Sequence, residues 1–296
     1  MTAASSPLHA FSDQLADLVE QASAFVVSVD GRHGRPASGL IFASDLVVTA
    51  DHVLERDDHI RVRVGERRFD AEIAGRDPGT DVAVLRVAGL GGTAPTRGNA
   101  VRPGQLVVAV SRTPTAATPA AGFGVIAAIG GPLRTGRGVS LRQVFRTNAS
   151  TYPGASGGAI LDTAGRVIGM STSGLLRGLP VVIPSEQLWE LATPLASGAT
   201  VKRAYLGVSV QPARFARPGP DGVEGGLLIS ALAPEGAADR GGLLVGDVIV
   251  SVNGGRLGHA DDLQDRLAEI EAGATVTVGV IRGGAVRDVQ LVTGGR

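Results

Sequence analysis

From residue 24 to about residue 184 the chain reads as one short β-type segment after another, with no long helical crossover between them. "AFVVSV" and "GLIFA" flank a polar loop, "DGRHGRPAS". "IRVRV" alternates strictly, with Ile60, Val62 and Val64 on one face and Arg61 and Arg63 on the other. "DVAVLRV", "QLVVAV", "GFGVIAAI", "RQVFRT", "GGAILD" and "RVIGMST" follow, with Gly, Pro, Asp or Asn in most of the gaps. Many short strands bounded by turn residues predict a sandwich or a barrel. A parallel α/β sheet needs crossovers that this span lacks.

Helical periodicity is confined to a few places. Phe11, Leu15, Leu18 and Val19 predict an amphipathic helix over residues 11–23, within an N-terminal segment 1–23. "SEQLWELAT" predicts a helix over 185–193, with Ser185 as its N-cap and Pro194 at its end. Residues 195–204 then read as a linker between a domain at 24–194 and another at 205–296. The second domain combines strands ("YLGVSV", "GGLLISAL", "DVIVSV") with a short helix in "PEGAADRGGL" and a tight turn at Asn253-Gly254. A helix over 261–270 with Leu263, Leu267 and Ile270 on one side, and a hairpin through "RGGA", complete it.

A chain of 296 residues is long enough for two such domains. Lys plus Arg and Asp plus Glu both number 28, so the net charge is zero and gives no support to nucleic acid or an anionic membrane as partner. Cysteine is absent, which excludes disulfides, a Cys nucleophile and thiolate metal sites. No His/Asp/Glu cluster has metal-ligand spacing, so neither metal nor cofactor is expected. The N-terminus does not read as a signal peptide, and no apolar run is long enough to span a membrane. A native Met1 predicts a cytoplasmic protein; a removed targeting segment predicts a periplasmic or otherwise extracytoplasmic one.

Chemistry concentrates in "STYPGASGGAILD", where Ser156 stands among Gly154, Gly157 and Gly158. Gly-x-Ser-x-Gly also fits the nucleophile elbow of an α/β-hydrolase. That reading requires a helix after Ser156 and a later histidine, whereas strands follow and the only later histidine is the remote His259. The alternative order is His, Asp, Ser. His52 lies in "VVTADHVL" directly after a strand, and Asp81 opens "DVAVLRV". Asp77 and Asp51 are the rivals of Asp81. Asp51 is expected on the surface, because sequence neighbours of His52 point away from it. His9, His33, His59 and His259 have no partner spacing and are expected on the surface, as are Asp57 and Asp58.

"LVVTADHVL", "GRDPGTDVAVLRV" and "TNASTYPGASGGAILDTAGRVIGM" together resemble the three catalytic blocks of the HtrA/DegP family of trypsin-like serine proteases. "AYLGVSV" and "GLLISALAPEGAADRGGLLVGDVIVSVNG" resemble the PDZ domain that follows in that family. The resemblance implies a mostly β fold, a chymotrypsin-like double β-barrel followed by a PDZ domain. It implies Ser156 as nucleophile, His52 as general base, Asp81 as its orienting partner, and an oxyanion hole from the N–H groups of Gly154 and Ser156. Gly154 would permit the unusual backbone, and Gly157 and Gly158 would leave room beside the nucleophile.

Ser171, Thr172, Ser173 and Gly174 resemble the strand that pairs with substrate and walls the primary pocket. In the PDZ domain, Leu206, Gly207 and Val208 would offer N–H groups to a peptide that adds as a strand beside the helix bearing Leu263 and Leu267. Implied substrates are unfolded or damaged proteins and peptides; trimers are common in the family, which suggests a homotrimer. The sequence departs from the family at Ala155, where Asn is usual, at Asp51, where a small residue is usual, and around 111–124, where a Gly-Asn-Pro signature is missing. The last departure motivates a second reading, a proteolytically inactive chaperone or PDZ adaptor on a protease scaffold.

Overall fold

The computed structural model describes the chain except for residues 1–5, 33, 36, 99–100, 113–117, 136–138, 150–151, 177–178, 199–203, 217–218, 220–221, 269 and 296. Expectations that fall on His33, on residues 113–117 and on 199–203 therefore lie outside the described residues. The chain forms two compact units, residues 1–136 with 140–201, and residues 137–139 with 202–296.

The first unit contains two closed six-stranded barrels. The first is built from β1 (Val26–Asp30), β2 (Ala37–Ala43), β3 (Leu46–Thr49), β4 (Ile60–Val64), β5 (Arg67–Asp77) and β6 (Val82–Arg86), in the order β1-β2-β3-β6-β5-β4. Its alternation follows the sequence: Ile60 and Val62 are fully buried while Arg61 between them is exposed. The second barrel uses β7 (Leu106–Ser111), β8 (Ala120–Gly130), β11 (Val144–Thr147), β12 (Ala159–Leu161), β13 (Val167–Leu176) and β14 (Leu179–Pro184). A short ladder of β9 (Leu133–Arg134) and β10 (Ser140–Leu141) stands outside it. Val26, Leu40, Val108, Leu161, Met170 and Ile183 belong to one continuous core spanning both barrels.

Two helices seal this unit. α1 runs from Pro7 to Ala22, longer at its start than the apolar periodicity predicts. Ser6 caps it by accepting from the His9 N–H at 3.2 Å, and Pro7 takes the first-turn position that needs no N–H donor. Leu15, Leu18 and Val19 pack on the shared core. α2 spans Ser185–Ala196 and lies against β5, β6 and β13. Two expectations are corrected here. Ser185 is the first helical residue rather than the cap, and its buried hydroxyl donates to the Gly98 carbonyl at 3.0 Å. Pro194 does not end the helix: it sits in the last turn, where one backbone bond is lost, and buried Leu195 holds that turn on the core.

The second unit is a sheet of β16 (Val208–Arg214), β17 (Gly225–Leu232), β18 (Val248–Val252), β20 (Thr275–Arg282) and β21 (Ala285–Val292), with β19 (Gly255–Arg256) paired to β18. The predicted strand "YLGVSV" is split. Ala204–Tyr205 forms β15 and pairs with β22 (Gly294–Gly295), and Gly207, at φ 81°, turns the chain before β16 begins. α3 (Ala237–Arg240) and α4 (Ala260–Ala268) are its helices. Asn253-Gly254 and Gly283-Gly284 form two-residue hairpins with positive φ at both positions, the backbone that fits strand twist.

Candidate active site

His52 follows β3 on a single 3-10 turn, Asp51–Val53. Asp81 ends the turn between β5 and β6, buried and at φ 58°, a left-handed conformation that Asp tolerates better than most residues. The turn is built by Asp77, which accepts from the Gly79 N–H at 2.9 Å and the Thr80 hydroxyl at 3.0 Å. Asp77 thereby shapes the turn that delivers Asp81. The Asp81 carboxylate holds His52 twice, accepting from its backbone N–H at 2.8 Å and lying 2.9–3.0 Å from its Nδ1. In the tautomer with its proton on Nδ1, His52 donates to Asp81 and Nε2 is the nitrogen able to accept a proton.

Asp51 corrects the sequence expectation. It is buried, not exposed, and Arg76 Nε donates to it at 2.6 Å. The same guanidinium reaches Asp57 at 2.8 Å and the Leu54 carbonyl at 3.2 Å, so Arg76 ties down the turn that carries His52. Neighbouring side chains point apart along a strand, but the 3-10 turn rotates Asp51 inward instead. His9, His59 and His259 are exposed, as expected.

Ser156 is presented by a loop of the second barrel. Ala155 N–H donates to the Tyr152 carbonyl at 2.9 Å and Gly158 N–H to the Ala155 carbonyl at 2.8 Å, two successive turns around the serine. Gly154 has φ 92° and Gly157 φ 87°, a region costly for other residues. The room left by Gly157 and Gly158 is used by the protein itself. A Cβ at Gly157 would stand 1.9 Å from the Ser38 carbonyl oxygen, and one at Gly158 would stand 2.7 Å from that of Val110. β13 braces the loop, since Gly157 N–H donates to Ser171 O at 2.8 Å and Ser171 N–H to Gly158 O at 2.9 Å.

Of the four residues expected to bind substrate, Thr172 and Gly174 also serve the His–Asp pair, while Ser171 and Ser173 face the serine loop. The buried Thr172 hydroxyl donates to Asp81 Oδ2. Gly174 admits the pair, because a Cβ there would lie 2.4 Å from Asp81 Oδ2 and 2.5 Å from His52 Nδ1. Ser173 Oγ is 3.1 Å from Ser156 Oγ, and this is the hydrogen bond of the Ser156 hydroxyl among the described residues; none joins it to His52. The β13–β14 ladder is interrupted between Thr172 and Leu176, which takes Ser173, Gly174 and Leu175 out of register. Sequence reasoning missed the links from Thr172 and Arg76, since a buried Thr on a strand and an Arg at a strand end carry no pattern of their own.

In the second unit, Leu206, Leu263 and Leu267 meet in one core, with α4 against β15 and β16. Gly207 O accepts from Ala233 N–H at 2.8 Å and Leu206 O from Ala238 N–H at 2.7 Å, which fixes the bend before β16. β16 pairs only with β17 among the described strands.

The family model for the trypsin-like peptidase domain matches residues 37–170, which include His52, Asp81 and Ser156, and that for the PDZ domain matches residues 204–293. A probable periplasmic serine endoprotease, DegP-like, from Pseudomonas fluorescens is 32% identical over 268 residues, covering 87% of this chain. The chain belongs to the HtrA/DegP-type serine proteases. Another relative, the periplasmic pH-dependent serine endoprotease DegQ of Escherichia coli, is 30% identical over 86% of this chain. The chain spans 56% and 58% of the lengths of these two relatives. Among solved structures, the HtrA-type protease AlgW with decapeptide has a TM-score of 0.61 at 26% identity, covering 95% of this chain and 98% of that one. The serine endoprotease from Yersinia pestis has a TM-score of 0.64 at 25% identity with the same coverage.

Proposed function

We propose that this chain is a serine endopeptidase that cleaves peptide bonds in unfolded or damaged proteins, with the second unit binding peptide segments or C-termini. One observation carries the reading: Asp81 grips His52 through both its backbone N–H and its ring, in the first barrel, opposite a glycine-framed Ser156 of the second. For reaction, the Ser156 hydroxyl turns from Ser173 to His52 Nε2. Its oxygen bonds to the scissile carbonyl carbon while the proton passes to Nε2. The carbonyl oxygen becomes an anion facing the N–H groups of Gly154 and Ser156, where one such donor is worth about 3 kcal/mol. Asp81 steadies the imidazolium. Collapse breaks the C–N bond, and the leaving amine takes the proton from His52. Water then hydrolyses the acyl-enzyme by the same steps.

The segment at Ser173–Leu175, out of its ladder, offers backbone groups to an extended substrate strand. The open side of β16 does so for a peptide in the second unit, with the N–H groups of Leu206, Gly207 and Val208 at its end. The named relatives are periplasmic, which favours that compartment for this chain; the cytoplasmic expectation has no support among them. No helix among the described residues is long and apolar enough to cross a membrane.

A fluorophosphonate probe tests the reading. It should label Ser156 in the natural chain and leave Ser156→Ala unlabelled, with casein cleavage lost by up to about a million-fold. Equal cleavage by both proteins overturns the proposal. The bond from Ser156 to Ser173 favours a second reading, an inactive chaperone or adaptor. That reading predicts suppression of client aggregation with no labelling of the natural chain.

A further inference from the structure

We infer that Ser38 is a positioning residue for the nucleophile loop: its hydroxyl, oriented by the Arg112 backbone, fixes the peptide beside the oxyanion donors. The inference rests on the protease reading above. Ser38 lies on β2, in the barrel that carries His52, and is fully buried. Each of its polar atoms is engaged. Its N–H donates to Ser156 O at 3.0 Å, and its carbonyl accepts from the Thr49 hydroxyl at 2.6 Å. Its Oγ accepts from Arg112 N–H at 2.9 Å and donates to Gly154 O at 2.8 Å. A hydroxyl has one proton to give. With Arg112 N–H occupying a lone pair, that proton is directed to Gly154.

The consequence follows from peptide planarity, since pinning a carbonyl also pins the N–H across the same plane. The 154–155 plane is held by Ser38 Oγ, the 156–157 plane by Ser38 N–H, and the plane between them by Gly158 N–H on Ala155 O. That middle plane carries the Ser156 N–H. Gly154 itself sits at φ 92° and has no side chain to restrict it, so the plane that follows it is held from both edges, by the Ser38 bond to its carbonyl and by the Ala155 N–H bond to Tyr152 O. Arg112 is in turn anchored, with Nε on Val26 O at 3.0 Å and Nη2 on Ser23 O at 2.8 Å. Ser23 caps the C-terminus of α1, where a cation is favoured. A connected path thus runs from the end of α1 through Arg112 and Ser38 to the nucleophile loop. Alanine would fill the strand position as well as serine does; only the hydroxyl makes the link.

The experiment compares the full natural chain with Ser38→Ala in three measurements: the rate of fluorophosphonate labelling, kcat and KM on a peptide substrate, and affinity for a peptidyl boronate. The tetrahedral boronate adduct places an oxygen in the oxyanion site, so it reads the donors directly. Losing a donor outright costs about 10²–10³ in kcat. Misdirecting one should lower kcat and boronate affinity by about tenfold or more, with KM within about twofold. If Ser38→Ala fails to fold, Ser38→Cys, similar in size but a weak donor, is read in the same way. A natural chain that takes no label overturns the protease reading. A labelled natural chain with a folded variant that matches it in kcat, or differs only in KM, overturns this inference alone.

Discussion

Thr172 and Ser173 are adjacent on β13, yet their hydroxyls act on opposite ends of the proposed triad. Thr172 donates to Asp81, a group that must stay ionised, while Ser173 occupies Ser156, a group that must move. A neutral hydroxyl pair contributes about 1 kcal/mol net, or about fivefold in population. Ser173→Ala should therefore speed fluorophosphonate labelling, by up to about fivefold, because Ser156 no longer has to leave a partner. Thr172→Val should slow it, because a buried carboxylate loses a donor and with it about 1–3 kcal/mol of support. The two variants moving labelling in the same direction would contradict these assignments. Neither role is legible in "STSG" as a string. The string does mark a polar stretch at the end of a strand, but which hydroxyl faces which partner depends on the other barrel.

At the level of elements, the site hangs on short connections rather than on strands. The β5–β6 turn delivers Asp81, and the 3-10 turn after β3 delivers His52; Arg76, at the end of β5, binds the second turn through Asp51. Asp51 is buried, so replacing Arg76 alone strips a buried carboxylate of a close cation, at a cost of about 3–5 kcal/mol. Arg76→Met should lower stability by about that much. Arg76→Met combined with Asp51→Leu should recover part of it, since the buried carboxylate that lost its guanidinium is gone. Urea unfolding followed by the fluorescence of Trp189, the chain's one tryptophan and a residue of α2, measures both. A double variant no more stable than Arg76→Met would refute the argument.

The same contrast explains what sequence reading reaches. Strands such as "IRVRV" and hairpins such as "RGGA" are legible because alternation and Gly pairs are local consequences of backbone geometry. The triad candidates are legible as three blocks in order. Asp51, Ser185 and Ser38 are not. Each acts through a contact far along the chain or on a turn whose rotation no periodicity announces.

Across the whole molecule the formal charges cancel, so stability against pH is decided by individual buried pairs rather than by net repulsion. In the second unit the decisive pair is Asp247 with Arg282. The Asp247 side chain is 1% exposed and accepts Arg282 Nε and Nη2 at 2.7 Å each, with Leu244 N–H at 2.8 Å. The guanidinium bond holds its carboxyl below the ordinary aspartate value, against the opposing pull of burial. A carboxyl depressed in the folded state binds more protons unfolded, so it adds stability above its unfolded value, near 4. That contribution disappears as pH falls through the lower folded value. Asp247→Asn should therefore cost the second unit about 2 kcal/mol at neutral pH, the scale of hydrogen bonds to a charged group. It should also flatten the loss of stability below about pH 4, because the group that titrates is gone. Amide hydrogen exchange in β18 and β20 across that range reads both effects. Parallel pH profiles for the two proteins would show that the acid sensitivity of this unit lies elsewhere.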